Sequence, residues 1–325
     1  MLMSVLLFAV GLVLLIKGGD WFVDGATGIA KRFNLPDIVV GATVVSIGTT
    51  LPEVMVSTTG ALQGSGAMAY GNAIGSIICN TALIAAISIV VNPGPVNTKS
   101  MKTPAIFFFA SAGLYCLASY VLGTFPRWMG FMMLSIFVVY MVLTVRNGMK
   151  NPDEVEHEDE EEDGKQRTLL QELVLLVVGA AVIAVGADLL VEHGQIIAIG
   201  LGVPETVVAL LFVALGTSLP ELVTTITSLR SGHASLGVGN VIGANVFNLV
   251  LVSGVAVSLA PFDVPCENFL LNTGLNMSLV FEIPVMLGVM SLMIFPTLAS
   301  KKLQRWQGIA LLAIYIAFCV CQFVL

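Results

Sequence analysis

Two glutamates each stand directly after a proline inside a long apolar segment of the chain. Glu53 ends the stretch SIGTTLPE, and Glu221 ends the stretch ALGTSLPE. An ionised carboxylate in such a segment is costly unless it is paired, solvated or protonated. No basic residue is placed as a partner for either glutamate. The simplest missing counter-charge is therefore a transported cation.

The neighbouring residues extend each carboxylate into a polar face. Positions i, i+3, i+4 and i+7 share one side of an α-helix. On this spacing the glutamates share their faces with Ser46, Thr49 and Thr50 in the first stretch and with Ala214, Thr217 and Ser218 in the second. Each proline also removes a backbone hydrogen bond and predicts a freed carbonyl, at Gly48 or Gly216, as a further oxygen ligand.

A second polar stripe follows in the next apolar segment of each copy, at spacing i, i+4 and i+8. It consists of Asn72, Ser76 and Asn80, matched by Asn240, Ala244 and Asn248. Carboxylates, amides, hydroxyls and carbonyls without thiolate or imidazole suit a hard cation such as calcium and argue against zinc or copper. Any single hydroxyl is more simply explained by a bond to its own backbone. The two deep carboxylates are what make the ion site the better interpretation.

The elements that position these residues are membrane helices. Of 325 residues, 57% are hydrophobic and 11% are charged, and the mean hydropathy is +0.95, outside the range of soluble domains. A helix needs about 20 apolar residues to cross a bilayer. Ten such spans are predicted, at 4–25, 37–62, 68–91, 104–122, 127–146, 168–191, 203–229, 236–260, 281–299 and 305–324.

The chain contains an internal repeat. A shift of 168 residues aligns 17–80 with 185–248 without a gap, and about a third of the positions are identical. Each half then holds five spans, and because five is odd the second half enters the membrane in the opposite sense. Inverted repeats are typical of secondary transporters, with the substrate near the midplane. A duplicated scaffold without transport would leave the repeated chemistry unexplained.

The repeat divides the chain into a first half, 1–147, a linker, 148–167, and a second half, 168–325. Nine of the 21 acidic residues fall in the linker. Its composition predicts a flexible, solvated segment, with weak divalent-cation binding as the alternative. Most Lys and Arg residues fall on one side of the predicted spans, and the positive-inside rule makes that side cytoplasmic. The expected location is the cell (inner) membrane, multi-pass, with both termini outside and the linker in the cytoplasm.

The doubled stretches GTTLPE and GTSLPE, each followed by GN-x-IG, resemble the paired alpha repeats of the calcium/cation antiporter superfamily, which includes the sodium/calcium exchangers and their prokaryotic homologues. The resemblance covers essentially the whole chain. It implies an all-α polytopic membrane protein with ten transmembrane helices in two inverted repeats of five. It also implies electrogenic exchange of sodium against calcium by alternating access, with no enzymatic activity and no cofactor.

The resemblance implies roles for individual residues. Glu53 and Glu221 would be central ligands shared by calcium and sodium. The surrounding ligands would be the hydroxyls of Thr49, Thr50, Thr217 and Ser218, the backbone carbonyls of Ser46 and Ala214, and the side chains of Ser76, Asn80 and Asn248. Ala244 stands where the family usually has serine, and Asn248 where some members have aspartate. These departures leave the sodium stoichiometry and any potassium role open.

The same glutamates suit a rival function, antiport of protons against calcium, manganese or another divalent cation. A cation channel is a further alternative, and it would need a continuous polar pore and no counter-ion. No motif of an intramembrane enzyme is apparent. The expected partners are calcium and sodium ions and the lipid bilayer, with no nucleic acid. The sequence does not set an oligomeric state, and a monomer is compatible with it.

Overall fold

The computed structural model of the chain describes residues 2–149, 167–201, 216–265 and 276–324. Within these ranges, nine helices are long and apolar enough to cross a membrane, and they match nine of the ten predicted spans. The tenth, 203–229, is described only from residue 216 onward. Ala214 and most of the predicted linker lie outside the described residues.

Ten helical segments follow one another along the described chain. They are α1 (Leu2–Phe33), α2 (Asp37–Leu62), α3 (Gly66–Val91), α4 (Thr98–Leu122), α5 (Arg127–Met149), α6 (Leu169–Gly200), α7 (Leu219–Arg230), α8 (Ala234–Leu259), α9 (Ser278–Ser300) and α10 (Arg305–Val324). Five of them contain a π-helical stretch, at Gly41–Val45, Asn80–Ala85, Leu117–Leu122, Asn248–Val252 and Ser278–Glu282. The described residues are therefore almost entirely helical, in ten segments, as the sequence predicts.

The first helix of each half packs against the other along its length. Glycines allow the backbones of α1 and α6 to meet, since a Cβ on Gly11 would lie 2.9 Å from the carbonyl oxygen of Gly186, and a Cβ on Gly186 equally 2.9 Å from that of Gly11. An ion pair joins the two helices at one end. The guanidinium of Arg32 lies 3.0 Å from the carboxylate of Glu172. Corresponding helices of the two halves thus form one antiparallel unit.

Two short antiparallel ribbons join the halves. Strand β1 (Gly94–Pro95) pairs with β4 (Lys302–Leu303), and β2 (Thr124–Phe125) pairs with β3 (Phe262–Asp263). Each ribbon joins two loops that the inverted topology places on the same side of the membrane, one ribbon on either side. The two ribbons are counterparts under the repeat. The strand pairing therefore agrees with two halves of opposite orientation.

The polar stretches lie at the centre of the bundle, where α2 and α7 cross α3 and α8. The closest approach is between α2 and α8. A Cβ on Gly41 would collide with the carbonyl oxygen of Leu236, and a Cβ on Gly239 would collide with that of Ile38. Only glycine fits such a backbone contact. This contact fixes the first-half glutamate helix against the second-half asparagine helix.

Candidate functional site

The two glutamates lie at the centre of the protein and face each other. Both Glu53 and Glu221 are 0% exposed, and their carboxylates are close enough to repel one another. None of their four carboxylate oxygens has a hydrogen bond to a described residue. No Lys, Arg or His in the described chain forms an ion pair with either one. Two buried carboxylates without a partner in the described chain fit a cation site.

Hydroxyls of the opposite half lie beside each carboxylate. The hydroxyl of Thr217 lies beside the carboxylate of Glu53, and those of Thr49 and Thr50 lie beside the carboxylate of Glu221. These groups are neighbours without hydrogen-bonding geometry, so their oxygens remain available as ligands. The predicted polar faces of the two halves are therefore brought together at the two carboxylates.

The asparagines at the ends of the second stripes complete this set. Asn80 on α3 and Asn248 on α8 are both 0% exposed, and neither the amide oxygen nor the amide nitrogen of either has a partner among the described residues. Each of them begins a π-helical stretch, a distortion that is frequent at functional sites. Ser76 on α3 and Ser218, just before α7, are buried as well. Buried amides without partners are rare in folded proteins and call for an explanation.

Asn72 and Asn240 differ from these two because hydrogen bonds already hold them. The amide oxygen of Asn72 accepts a bond of 3.4 Å from Thr217, and that of Asn240 accepts one of 3.2 Å from Thr49. Both bonds run between the halves. The sequence predicts that both asparagines are ion ligands. In the structure their amide oxygens bind threonines that are themselves predicted ligands. As direct ligands they stay a prediction.

Ser46 is also engaged by its surroundings. Its hydroxyl lies 2.8 Å from the carbonyl oxygen of Gly41 and 2.9 Å from that of Asn240. The residue follows the π-helical stretch Gly41–Val45, and Tyr140 donates a bond of 2.7 Å to the Ala42 carbonyl within that stretch. The hydroxyl of Ser46 thus ties the halves together, which leaves its backbone carbonyl as the predicted ligand. Its counterpart Ala214 lies outside the described residues.

The two prolines have different surroundings. Pro52 lies inside a continuous helix, as the predicted release of the Gly48 carbonyl requires. Pro220, in contrast, occupies the first turn of α7, which begins at Leu219 after a turn at Thr217 and Ser218. A proline there breaks no helical bond. The Gly216 carbonyl stays a predicted ligand, and a break in the helix at Thr217 and Ser218 separates it from Pro220.

The sequence missed two features of the site. Ser57, one turn beyond Glu53, accepts a hydrogen bond of 2.8 Å from Asn72, and the repeat alignment, which pairs Ser57 with Thr225, could have identified it. A separate cluster joins Thr81 and Met290 to Asn245, whose amide nitrogen donates to the Thr81 hydroxyl over 2.7 Å. Because Thr81 corresponds to a leucine in the second half, no repeat signal marks this cluster.

Comparison with known proteins shows which family the chain matches. The family model described as sodium/calcium exchanger protein matches residues 3–146 and 172–324. A membrane protein of Methanocaldococcus jannaschii, MJ0091, is 34% identical over 95% of this chain and 94% of its own. The sodium/calcium exchanger MaX1 of Methanosarcina acetivorans is 30% identical over 98% of each chain. A solved structure of the sodium-calcium exchanger NCX_Mj, soaked with sodium and strontium, matches with a TM-score of 0.78 and 31% identity over 97% of each chain.

Proposed function

Since the chain belongs to the sodium/calcium exchanger family and is an antiporter of sodium and calcium, we propose that both ions bind in turn to one site between Glu53 and Glu221. Calcium bound there places two positive charges against two carboxylates. Sodium ions that replace it supply the same compensation in single charges. The protein can change between its two access states more easily when the site is occupied and neutralised. An empty site would leave two negative charges unpaired in a low-dielectric interior during the change.

One observation carries this proposal. Two fully buried carboxylates lie together without a hydrogen bond or an ion pair to the described part of the chain. Such an arrangement is strongly unfavourable unless positive charge enters between them. Because the two glutamates come from opposite halves, one ion bound to both also links the halves to each other.

The remaining ligands follow from what surrounds the carboxylates. We assign to the site the side chains of Thr49, Thr50, Ser76, Asn80, Thr217, Ser218 and Asn248, and the backbone carbonyls of Ser46 and Ala214. This all-oxygen set meets the demand of calcium for six to eight oxygen ligands. Sodium is also a hard cation, and the same oxygens serve it. No transported ion other than these two is needed to explain the donor set.

Transport measurements with the purified protein in liposomes test the proposal. Vesicles loaded with sodium and diluted into sodium-free buffer are expected to accumulate radioactive calcium, and vesicles with equal sodium on both sides are not. A proton gradient imposed in the absence of sodium distinguishes proton-coupled antiport. Calcium uptake that follows the proton gradient, or that ignores both gradients, would contradict exchange of sodium for calcium at this site.

The missing hydroxyl at Ala244 predicts a specific effect on sodium. Ala244 is 0% exposed and is the counterpart of Ser76, so Ala244→Ser adds one oxygen ligand to the second half. We expect the sodium concentration for half-maximal exchange to fall about threefold, with a smaller change for calcium, since one neutral oxygen contributes roughly 0.5–1.5 kcal/mol. Sodium titrations of calcium uptake measure this, with Ala256→Ser as control because Ala256 is equally buried on α8 but packs against Ala61 and Ala69. Unchanged sodium affinity and cooperativity would exclude a ligand at position 244.

The division into halves 1–147 and 168–325, with the linker and the basic loops in the cytoplasm and both termini outside, is part of the proposal. Support comes from Lys99 and Lys301, which lie close in sequence to the paired strands β1 and β4. The opposite ribbon, β2 with β3, has only Arg127 as a basic neighbour in the described loops. Labelling of single cysteines placed in the two ribbons, from one side of intact cells, tests the orientation.

A further inference from the structure

Asn72 and Asn240 are related by the repeat, and each binds the threonine of the opposite half. The hydroxyl of Thr217 donates to Asn72 over 3.4 Å, and that of Thr49 donates to Asn240 over 3.2 Å. Thr49 and Thr217 are themselves counterparts in the repeat. The two amide oxygens share this threonine contact and join the halves at equivalent points, and the amide oxygen of Asn240 also accepts a bond of 3.2 Å from Ser46.

The amide nitrogens of the same two asparagines are not in equivalent environments. That of Asn72 donates to the Ser57 hydroxyl over 2.8 Å and to the Glu53 carbonyl oxygen over 3.2 Å. That of Asn240 is buried with no partner among the described residues, and so is the hydroxyl of Thr225, the counterpart of Ser57. One half has made this bond, and the other half contains both of its groups unpaired.

The two unpaired groups lie on facing helices. Thr225 on α7 packs against α8 at Gly237, since a Cβ placed on Gly237 would lie 3.3 Å from both Cα and Cγ2 of Thr225. Gly237 is three residues before Asn240, which places both on the same face of α8. Thr225 and Asn240 therefore lie at the same part of the contact between α7 and α8. Buried donors without partners destabilise a conformation, so a conformation that pairs them is favoured in this half.

We propose that Asn72 and Asn240 are positioning residues whose amide nitrogens bind Ser57 and Thr225 in alternate access states. In the state described here the Asn72–Ser57 bond is made. In the opposite state the Asn240–Thr225 bond is made and the Asn72–Ser57 bond is broken, because inverted halves exchange their arrangements when access changes sides. This inference rests on the proposed function of the site. It adds that these two bonds help to set which side the site faces.

The test measures calcium affinity at each face of the protein. In proteoliposomes of uniform orientation, the apparent calcium affinity at one face decreases when a smaller fraction of molecules is open to that face. Ser57→Ala removes the acceptor of one state and Thr225→Val that of the other. We expect the ratio of the half-saturating calcium concentrations at the two faces to move about fivefold in opposite directions, the effect of one hydrogen bond.

Three controls separate this role from a merely structural one. Ser57→Thr and Thr225→Ser keep the hydroxyl and are expected to keep the wild-type ratio. Thr58→Val removes a neighbouring hydroxyl that has no partner among the described residues, and it is expected to leave the ratio unchanged. If Ser57→Ala does not accumulate in the membrane, Ser57→Cys replaces it, since a thiol has nearly the same size and is a weak hydrogen-bonding group.

Two results would overturn the inference while the proposed function stands. They are sodium-driven exchange with shifts of the ratio in the same direction in Ser57→Ala and Thr225→Val, and exchange with an unchanged ratio in both. Absence of sodium-driven calcium uptake in the wild-type protein would instead remove the proposed function, and this inference with it.

Discussion

Replacing Glu53 or Glu221 with glutamine is expected to abolish sodium-driven calcium exchange and to leave the protein folded. Either change removes one of two buried negative charges and leaves a bound calcium ion with one uncompensated positive charge. Breaking a buried charge pair typically costs about 3–5 kcal/mol, so calcium affinity is expected to fall more than about 100-fold. Radioactive calcium uptake by proteoliposomes measures the loss, and the elution profile of the protein in detergent reports the fold.

A matched control is Glu282→Gln on α9. Glu282 is a half-buried carboxylate in a membrane helix, but it accepts a hydrogen bond of 3.2 Å from Gln322, and an amide oxygen can accept the same bond. Exchange is expected to persist in this variant. Retained sodium-driven calcium uptake in Glu53→Gln or in Glu221→Gln would exclude the two-carboxylate site.

The topology was predictable from the sequence because two independent signals coincide. Hydropathy places the spans, and the repeat with an odd number of spans in each half sets their opposite orientations. Helix lengths were less predictable. The first span, predicted at 4–25, extends in the structure to Phe33, because its end carries Lys31 and Arg32 outside the apolar stretch. Hydropathy reports only the part of a helix that contacts hydrocarbon.

The central carboxylates were predictable because an unpaired charge inside an apolar segment is too costly to persist without a cation or a proton to neutralise it. The asparagines were harder to assign. Periodicity places Asn72 and Asn80 on one helix face, yet Asn72 has hydrogen-bond partners in the structure and Asn80 has none among the described residues. That difference depends on which residues the neighbouring helices present, and spacing along one helix contains no information about it.

The π-helical stretches at Asn80 and Asn248 were also beyond the sequence analysis. A π-helical turn needs one residue more than an α-helical turn, and its cost is offset only by tertiary contacts. In α2, for example, the Ala42 carbonyl is bound by Tyr140 from another helix. No local sequence pattern indicates such a partner. The repeat does show afterwards that the two distortions begin at equivalent positions.

The halves share their order of helices and are unequal in chemistry. Ser46 supplies a hydroxyl that links α2 to Asn240 of the second half, and the second half has Ala214 at the corresponding position. Ser76 likewise corresponds to Ala244. The first half therefore holds more hydroxyls near the carboxylates. An exchanger needs two access states of similar free energy, and unequal halves can adjust that balance without a change of fold.

The contact between α2 and α8 predicts the second large effect. Gly41→Ala places a methyl group against the carbonyl oxygen of Leu236 and 2.8 Å from the backbone nitrogen of Asn240. Neither backbone atom can move without displacing α8. We expect destabilisation of about 3 kcal/mol, at the upper end of typical overpacking, and a loss of exchange, because Asn240 and Thr49 would be pushed apart. Thermal unfolding in detergent and calcium uptake measure the two effects.

Gly288→Ala provides the comparison for this change. Gly288 is an exposed residue of α9, and no described atom lies within 4 Å of a Cβ built on it. Alanine has the higher helix propensity, by about 1 kcal/mol, so this variant is expected to unfold at the same or a higher temperature and to exchange normally. If Gly41→Ala matched Gly288→Ala in stability and exchange, the α2–α8 contact would not hold the two halves of the site together. If it lost exchange at unchanged stability, the contact would act on the movement between access states and not on folding.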